Sequence, residues 1–189
     1  DAMSIVDRYG LLEKLPPSIS DRLKAGLTKS ELETPKADNV MFDHVCNILI
    51  GSADTSALSA KAFLETIRLE NVDTPAFDHI DIFSNSLSGE ASQFGAGLVD
   101  LIRQLHAGQK GKTAAYLATG EFTVTIKGKG RGGRNQEMLL AFLLDLERRR
   151  IANEDSLADL QFAIISCAFD GIEGNSPATG AVVSSDSID

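Results

Sequence analysis

Glycines and arginines near position 130 form the group of residues best suited to bind an anion. Gly128, Gly130 and Gly133 follow the pattern G-x-G-x-x-G, and Arg131 and Arg134 lie among and beside them. Glycines allow the backbone to approach a ligand closely, and arginine side chains grip phosphate or carboxylate oxygens in pairs. The sequence therefore predicts a loop that binds a phosphate or a carboxylate. The alternative is a solvated turn whose arginines point into water.

The segments on either side of this loop favour the binding interpretation. A β-rich run over residues 116–126 precedes the loop, and we expect a helix over residues 135–149. A helix that begins directly after the loop offers unpaired N–H groups and the positive end of its dipole to an anion. Since this helix is apolar on nearly all sides, we also expect other elements to cover it.

Two established nucleotide-binding patterns fit the loop poorly. The dinucleotide version of G-x-G-x-x-G requires an acidic residue at the end of the next strand, about 20 residues on. Glu154 and Asp155 have roughly that spacing, but they precede the next strand. The P-loop pattern fails because no Gly-Lys-Ser/Thr follows. The residues therefore disfavour NAD and leave a local anion site.

Acidic side chains in two other turns are candidates to act beside the loop. Glu121 follows Gly120 within the β-type run, and Asp170 and Glu173 follow an apolar strand in a glycine-rich turn. Carboxylates at such positions bind Mg²⁺ or orient a hydroxyl group. Two alternatives stay open: Glu121 as an exposed edge-strand residue, and the second turn as an Asp-Gly turn closed by its own hydrogen bonds.

The order of apolar runs and helical patterns predicts an α/β protein. Helices are expected over residues 1–9 and 18–25, and then strands alternate with helices over 45–50, 56–68, 79–83, 90–106, 116–126, 135–149 and 162–166, followed by a strand-like stretch over 180–183. This rhythm predicts a layered α/β/α fold with a largely parallel or mixed sheet, whose ligands bind at the carboxyl ends of the strands. The turns at 51–52, 120–121 and 170–174 fall at or near such ends.

Charge and cysteine content restrict the class of partner. The formal net charge is -9, which argues against a broad nucleic-acid or anionic-membrane surface and favours small-molecule ligands. No run is long and apolar enough for a transmembrane helix. Cys46 and Cys167 lie far apart without a C-x-x-C motif, so we expect buried, inert thiols in a reducing compartment, cytoplasmic or alternatively mitochondrial.

Several motifs together resemble one known family. The segment GKGRGGRNQE, preceded by GEFTVT and followed by FDGIEG and TGAVV, resembles the MOFRL domain, at residues 128–137, 120–125, 169–174 and 179–183. That domain forms the C-terminal part of the glycerate 2-kinases, whose members have also been named hydroxypyruvate reductases. The segments ETPK, NILIGS and SGEA, at residues 33–36, 47–52 and 88–91, resemble the same family, so the likeness spans almost the whole chain.

The resemblance implies ATP-dependent phosphorylation of D-glycerate to 2-phosphoglycerate, with Mg²⁺, in a cleft between two α/β domains. It implies catalytic roles for Arg131, Arg134 and Asp170, and a metal-binding role for Glu121 and Asp170. The residues it assigns to nucleotide binding are Gly120, Glu121, Gly128, Gly130, Gly132, Gly133 and Asn135. Two departures stand out, since the family usually has Thr where Phe122 follows Glu121, and Thr where Phe169 precedes Asp170.

The resemblance also suggests a domain organisation. Residues 1–36 are expected to be a helical connector from a preceding domain, and residues 37–189 an α/β domain with its MOFRL-like region over 112–189. We expect the chain to be an incomplete portion of a two-domain enzyme, cut short at its C-terminus. An NAD(P)H-dependent hydroxypyruvate reductase and a non-catalytic truncated isoform remain the alternatives, and assembly into a homo-oligomer remains open.

Overall fold

A computed structural model describes residues 2–70 and 77–187, and it divides the chain into two compact units. The first unit is Asp1–Leu49 and the second is Ile50–Asp189. The predicted boundary after residue 36 stays a prediction about the domains of the whole protein.

The first unit consists of two helices and short 3-10 turns. Helix α1 is Ala2–Arg8 and helix α2 is Pro17–Gly26, with 3-10 turns at Leu12–Lys14, Ser30–Leu32 and Val40–Phe42. Pro17 occupies the first position of α2, where its missing N–H would have had no partner within the helix. Both predicted helices are confirmed.

The predicted strand over residues 45–50 is wrong. The segment has no regular structure, and Ile48, Leu49 and Ile50 are among the most exposed large apolar side chains. An apolar run becomes a strand only when another strand pairs with it, and the described part of the chain provides none here. Cys46 lies in this segment and is exposed, as is Cys167, so the expectation of buried thiols is also wrong.

The second unit begins with a helix packed on a parallel pair of strands. Helix α3 is Ala53–Glu70, strand β1 is His79–Leu87 and strand β2 is Ala114–Gly120. The two strands run parallel from the pair His79 and Ala114 to the pair Leu87 and Gly120. Their connection contains α4 (Ala91–Ala96) and α5 (Leu98–His106), which replace the single helix predicted over 90–106. Gly97 separates the two helices, since glycine is a poor helix former.

The rest of this unit is built on one long helix. Helix α6 is Arg134–Ile151, and strands β3 (Ala163–Cys167) and β4 (Gly180–Ser184) pair antiparallel. One face of α6 supplies Leu139, Phe142 and Leu146 to a core completed by α4, α5 and β4. Leu140 and Leu144 are exposed on the opposite face of α6. The described elements therefore cover one face of this helix, whereas cover on nearly all sides was expected.

Ion pairs at the surface connect α5 with the segment that follows α6. Arg103 on α5 donates to Asp155 over 2.7 Å and to Asp159 over 3.2 Å, both in the segment after α6. The hydrogen bond from Arg103 holds the pKa of Asp155 below its ordinary value, against the opposing effect of partial burial. The network therefore connects α5 to the chain that leaves α6.

The predicted α/β class is confirmed, and the described strands form two separate two-stranded sheets. Strands β1 and β2 form one parallel pair, and β3 and β4 form a separate antiparallel pair. Strand β2 ends at Gly120, earlier than the predicted run to residue 126, and only an isolated bridge joins Thr123 to Glu90. Within residues 2–70 and 77–187, no helix is long and apolar enough to cross a membrane.

Candidate functional site

Three of the predicted site residues meet at the start of α6. The Nη1 atom of Arg134 lies 3.5 Å from Oε1 of Glu121, and its Nη2 atom lies 4.0 Å from Oδ2 of Asp170. Glu121 directly follows β2 and Asp170 lies just beyond β3, so the two strand ends deliver one carboxylate each. The side chain of Arg134 is 31% exposed, and those of Glu121 and Asp170 are 77% and 66% exposed. The cluster is therefore open to a ligand.

The glycine loop is held on one side by the turn that follows β3. The side chain of Asn175 accepts a hydrogen bond from the N–H of Gly132 over 2.9 Å and donates to the carbonyl of Gly130 over 3.2 Å. The N–H of Asn175 donates to the carbonyl of Gly132 over 3.3 Å. Asn175 thus pairs with the loop backbone much as a neighbouring strand would. The sequence did not identify this residue, because its partners lie more than 40 positions away.

The start of α6 is already capped by a carboxylate of the chain itself. Glu173 is 1% exposed, and its Oε1 atom accepts hydrogen bonds from the N–H groups of Asn135 and Gln136, the latter over 3.0 Å. The side chain of Gln136 donates to Ser176 over 2.9 Å. The expectation of unpaired N–H groups at this helix start is therefore wrong for residues 135 and 136. The role of Glu173 as a metal ligand or base stays a prediction, and its contacts in the structure are those of a helix cap.

Two glycines make the close contact between the loop and the turn at Glu173 possible. A Cβ atom on Gly133 would overlap the Cγ of Glu173, and one on Gly174 would overlap the carbonyl oxygen of Gly132. Gly174 also has a φ of +56°, which favours glycine. By contrast, no described atom lies within 4 Å of a Cβ built on Gly128 or Gly130. We call residues 128–131 the open half of the loop and residues 132–134 the braced half.

The chain between β2 and the open half is anchored by Glu90. Its carboxylate accepts hydrogen bonds from the N–H of Thr125 over 2.8 Å and from the hydroxyl of Thr125 over 3.2 Å. The backbone hydrogen bond is the main reason that the pKa of Glu90 lies below its ordinary value. Glu90 precedes α4, but its side chain does not cap this helix. The carboxylate instead holds Thr125, in the segment that leads into the glycine loop.

The phenylalanines at the two departures from the family pattern have different surroundings. The ring of Phe122 packs on Phe94 of α4 with centroids 4.8 Å apart, so it belongs to the interior. Phe169 is 86% exposed. It borders an open groove of about 550 Å³ together with Gly51, Phe63 and other residues, namely Ile50, Thr55, Ser56, Ser59 and Ala60.

The three predicted turns lie at one end of the second unit. The groove brings the turn at Gly51 beside Phe169, and the hydroxyl of Thr119 donates to the carbonyl of Ala53 over 3.1 Å. Arg134 joins the other two turns through Glu121 and Asp170. Two of the three turns follow strands, β2 and β3, whereas the turn at Gly51 precedes α3 and follows no strand.

Two predicted site residues stand apart from the cluster around Arg134. Arg131 is exposed on the open half of the loop. Asn135 is buried and accepts a hydrogen bond from the hydroxyl of Ser166 over 2.6 Å, so its side chain serves the interior. Its predicted contact with a nucleotide stays a prediction, and the structure gives that contact no support.

The described side chains at the site do not form a complete metal site by themselves. Among the described residues, no group of three or more His, Cys, Asp or Glu side chains could hold a metal ion. Glu121 and Asp170 nevertheless supply two carboxylates, and Mg²⁺ commonly uses one or two carboxylates together with water and substrate phosphates. The residues present therefore fit Mg²⁺ in type and number when phosphate oxygens complete its coordination.

Comparisons with known proteins agree with the sequence motifs. Residues 114–189 match the MOFRL family. A glycerate 2-kinase of Picrophilus torridus is 30% identical over 149 residues, covering 79% of this chain and 30% of that protein. A putative hydroxypyruvate reductase of Agrobacterium vitis is 33% identical over 194 residues, covering 100% of this chain and 37% of that protein.

A solved structure extends the likeness to the fold. The crystal structure of a glycerate kinase from Thermotoga maritima is similar with a TM-score of 0.59 and 25% identity, covering 96% of this chain. The chain spans 30% to 37% of the length of these relatives. The likeness thus reaches beyond the MOFRL residues into nearly all of the chain. The chain therefore belongs to the glycerate 2-kinase family, and residues 114–189 are its MOFRL region.

Proposed function

We propose that the protein to which this chain belongs transfers the γ-phosphoryl group of ATP to D-glycerate and forms 2-phosphoglycerate. The observation that carries the proposal is the position of Arg134 between Glu121 and Asp170, at the edge of a glycine loop. Phosphoryl transfer depends mainly on positioning and on charges that stabilise the transferred group, and this cluster supplies both signs of charge. The names of the Picrophilus and Thermotoga relatives support the choice of glycerate.

In this proposal each charged group has a separate role. The open half of the loop and Arg131 hold phosphate oxygens or the glycerate carboxylate. Arg134 stabilises the charge that develops on the transferred phosphoryl group. Glu121 and Asp170 hold Mg²⁺ or orient the attacking hydroxyl group. When bound, Mg²⁺ supplies charge neutralisation between the phosphates.

The predicted domain organisation belongs to the same proposal. In it, residues up to 36 connect to a preceding domain, and the α/β domain that follows forms one wall of the cleft. Such a cleft would let a second domain supply further ligand contacts.

The reductase alternative is favoured by the name of the Agrobacterium relative, but the geometry argues against it. A dinucleotide site needs adjacent parallel strands joined through a helix, with the helix N-terminus free for the pyrophosphate. Here β2 and β3 lie in different sheets of the described chain, and Glu173 caps α6. The acidic residues at the expected spacing are also engaged, because Glu154 pairs with Arg148 and Asp155 with Arg103.

The test measures D-glycerate-dependent ADP release from ATP and Mg²⁺, with identification of the product. It is done on this polypeptide and on the complete protein, with hydroxypyruvate-dependent NADH oxidation measured in parallel. Formation of 2-phosphoglycerate by the complete protein supports the proposal. NADH oxidation without ADP release would favour the reductase over the kinase. The absence of both activities would favour a non-catalytic protein.

A further inference from the structure

Glu173 is an unusual residue in this fold because its carboxylate is fully buried. Its Oε1 atom accepts two backbone hydrogen bonds, whereas Oε2 has no hydrogen-bond partner among the residues that the structure describes. A buried carboxylate with one unpaired oxygen costs free energy relative to a neutral or apolar side chain. Its hydrogen bonds to the positive end of α6 offset part of that cost.

The contacts of Glu173 surround the backbone of Arg134. On one side, the Cγ of Glu173 lies so close to Gly133 that no Cβ fits there. On the other side, its carboxylate binds the N–H groups of Asn135 and Gln136. The residues immediately before and after Arg134 are therefore both held by Glu173. This fixes the point from which the Arg134 side chain extends towards the site.

The same turn also carries the partner of that side chain. Asp170 lies three positions before Glu173 and approaches the guanidinium group of Arg134. One turn thus presents an exposed carboxylate to the side chain of Arg134 and a buried carboxylate to the backbone around it. A displacement of the turn would change both contacts together.

We propose that Glu173 is a positioning residue that sets Arg134 between Glu121 and Asp170. By occupying the start of α6, Glu173 also excludes an external anion from those N–H groups, so that backbone contacts to the ligand come from the open half of the loop. The catalytic part of this inference rests on the proposed kinase function. The structural part, the holding of the first turn of α6, does not.

The main test is chemical rescue of Glu173→Ala in the complete protein. The substitution vacates a carboxylate site, so we expect turnover to fall about 10- to 100-fold at temperatures where the variant is folded. Acetate or formate should restore part of this loss, because a small carboxylate can accept the same N–H bonds. Glu173→Gln, which keeps the length and one acceptor oxygen, should lose less turnover and respond to neither anion. Glu147→Gln, at a half-exposed side chain of α6 that pairs with Arg150, is the matched control and should leave turnover unchanged.

A second readout does not depend on enzymatic activity. Amide hydrogen exchange at residues 135 and 136 should be faster in Glu173→Ala than in the parent, and acetate should slow it again. Unchanged exchange at these amides, or unchanged turnover in a folded Glu173→Ala variant, would overturn the proposal. A lowered melting temperature without rescue of turnover or exchange would likewise reduce Glu173 to a structural role.

These readouts also separate the two proposals. If the parent lacks glycerate kinase activity, the proposed function fails by itself, while exchange and its reversal by acetate still decide whether Glu173 holds the start of α6. If Glu173→Ala does not fold, Glu173→Gln takes its place. In that case we expect turnover about 3- to 10-fold lower than the parent, and turnover equal to the parent would overturn the inference.

Discussion

Replacing Arg134 by alanine should separate stability from activity. Its ion pairs span 3.5 Å and 4.0 Å, and both acidic partners are largely exposed, at 77% and 66%. Exposed pairs of this kind contribute about 0–1 kcal/mol, since water and salt screen them. We therefore expect Arg134→Ala to lower the free energy of unfolding by less than about 1 kcal/mol.

The expected effect on turnover is much larger. Loss of one hydrogen-bond donor aimed at a developing anion costs about 2.7–4 kcal/mol in other enzymes, or about 10²- to 10³-fold in kcat, and we expect at least this loss for Arg134. The assay is D-glycerate-dependent ADP release by the complete protein, combined with urea denaturation of the same preparation. Arg150→Ala is a suitable control, because Arg150 lies on the same helix and pairs with Glu147 over 2.7 Å at the surface.

Two outcomes would refute this reasoning. If Arg134→Ala kept kcat within about threefold of an active parent, the arginine would have no role in the transition state. If the variant lost several kcal/mol of stability together with its activity, Arg134 would instead be a structural residue. For Arg150→Ala we expect a small change in stability and an unchanged kcat.

Two further predictions concern the fold. Phe142→Ala should lower the free energy of unfolding by about 3–5 kcal/mol, because the ring is fully buried, whereas Leu140→Ala on the exposed face of the same helix should change it by less than about 0.5 kcal/mol, as denaturant titration can show. Arg103→Gln should make the free energy of unfolding depend less on pH in the acidic range. Because Arg103 lowers the pKa of Asp155, this contribution is present above the unfolded aspartate value of about 3.9 and is lost as the pH falls through the lower folded value. The stability difference between parent and variant should therefore shrink as the pH falls below about 4, and a constant difference would contradict the assignment.

Local patterns predicted the parts of the site that depend on neighbouring residues. The expected helix over 135–149 is present as α6, and the glycine loop lies directly before it. Glu121 and Asp170 were also expected near this loop as residues that follow strands, although β2 and β3 lie in separate sheets of the described chain and the rule for one parallel sheet does not explain their meeting. Roles in catalysis for these residues stay predictions, because geometry alone measures no reaction.

Contacts between distant residues could not be predicted in the same way. Nothing in the turn 170–174 distinguishes the exposed Asp170 from the buried Glu173, since both are acidic residues next to a glycine. The buried position of Glu173 depends on Gly133, which lies 40 positions earlier and lacks the Cβ that would overlap the Glu173 side chain. Strand pairing was equally hidden, because the apolar character of residues 45–50 says nothing about whether a partner strand is available.

The hydrogen bonds between Asn175 and the glycine loop have a consequence for synthesis on the ribosome. Gly132 and Asn175 are 43 positions apart, so at about 5–20 residues per second the loop is made roughly 2–9 s before its partner. During that interval α6 can form from local contacts, but the start of this helix is uncapped and the loop is unsupported. The nascent chain thus passes through a stage with an exposed anion-attracting helix end, which closes only when the turn 173–176 has been translated and docked.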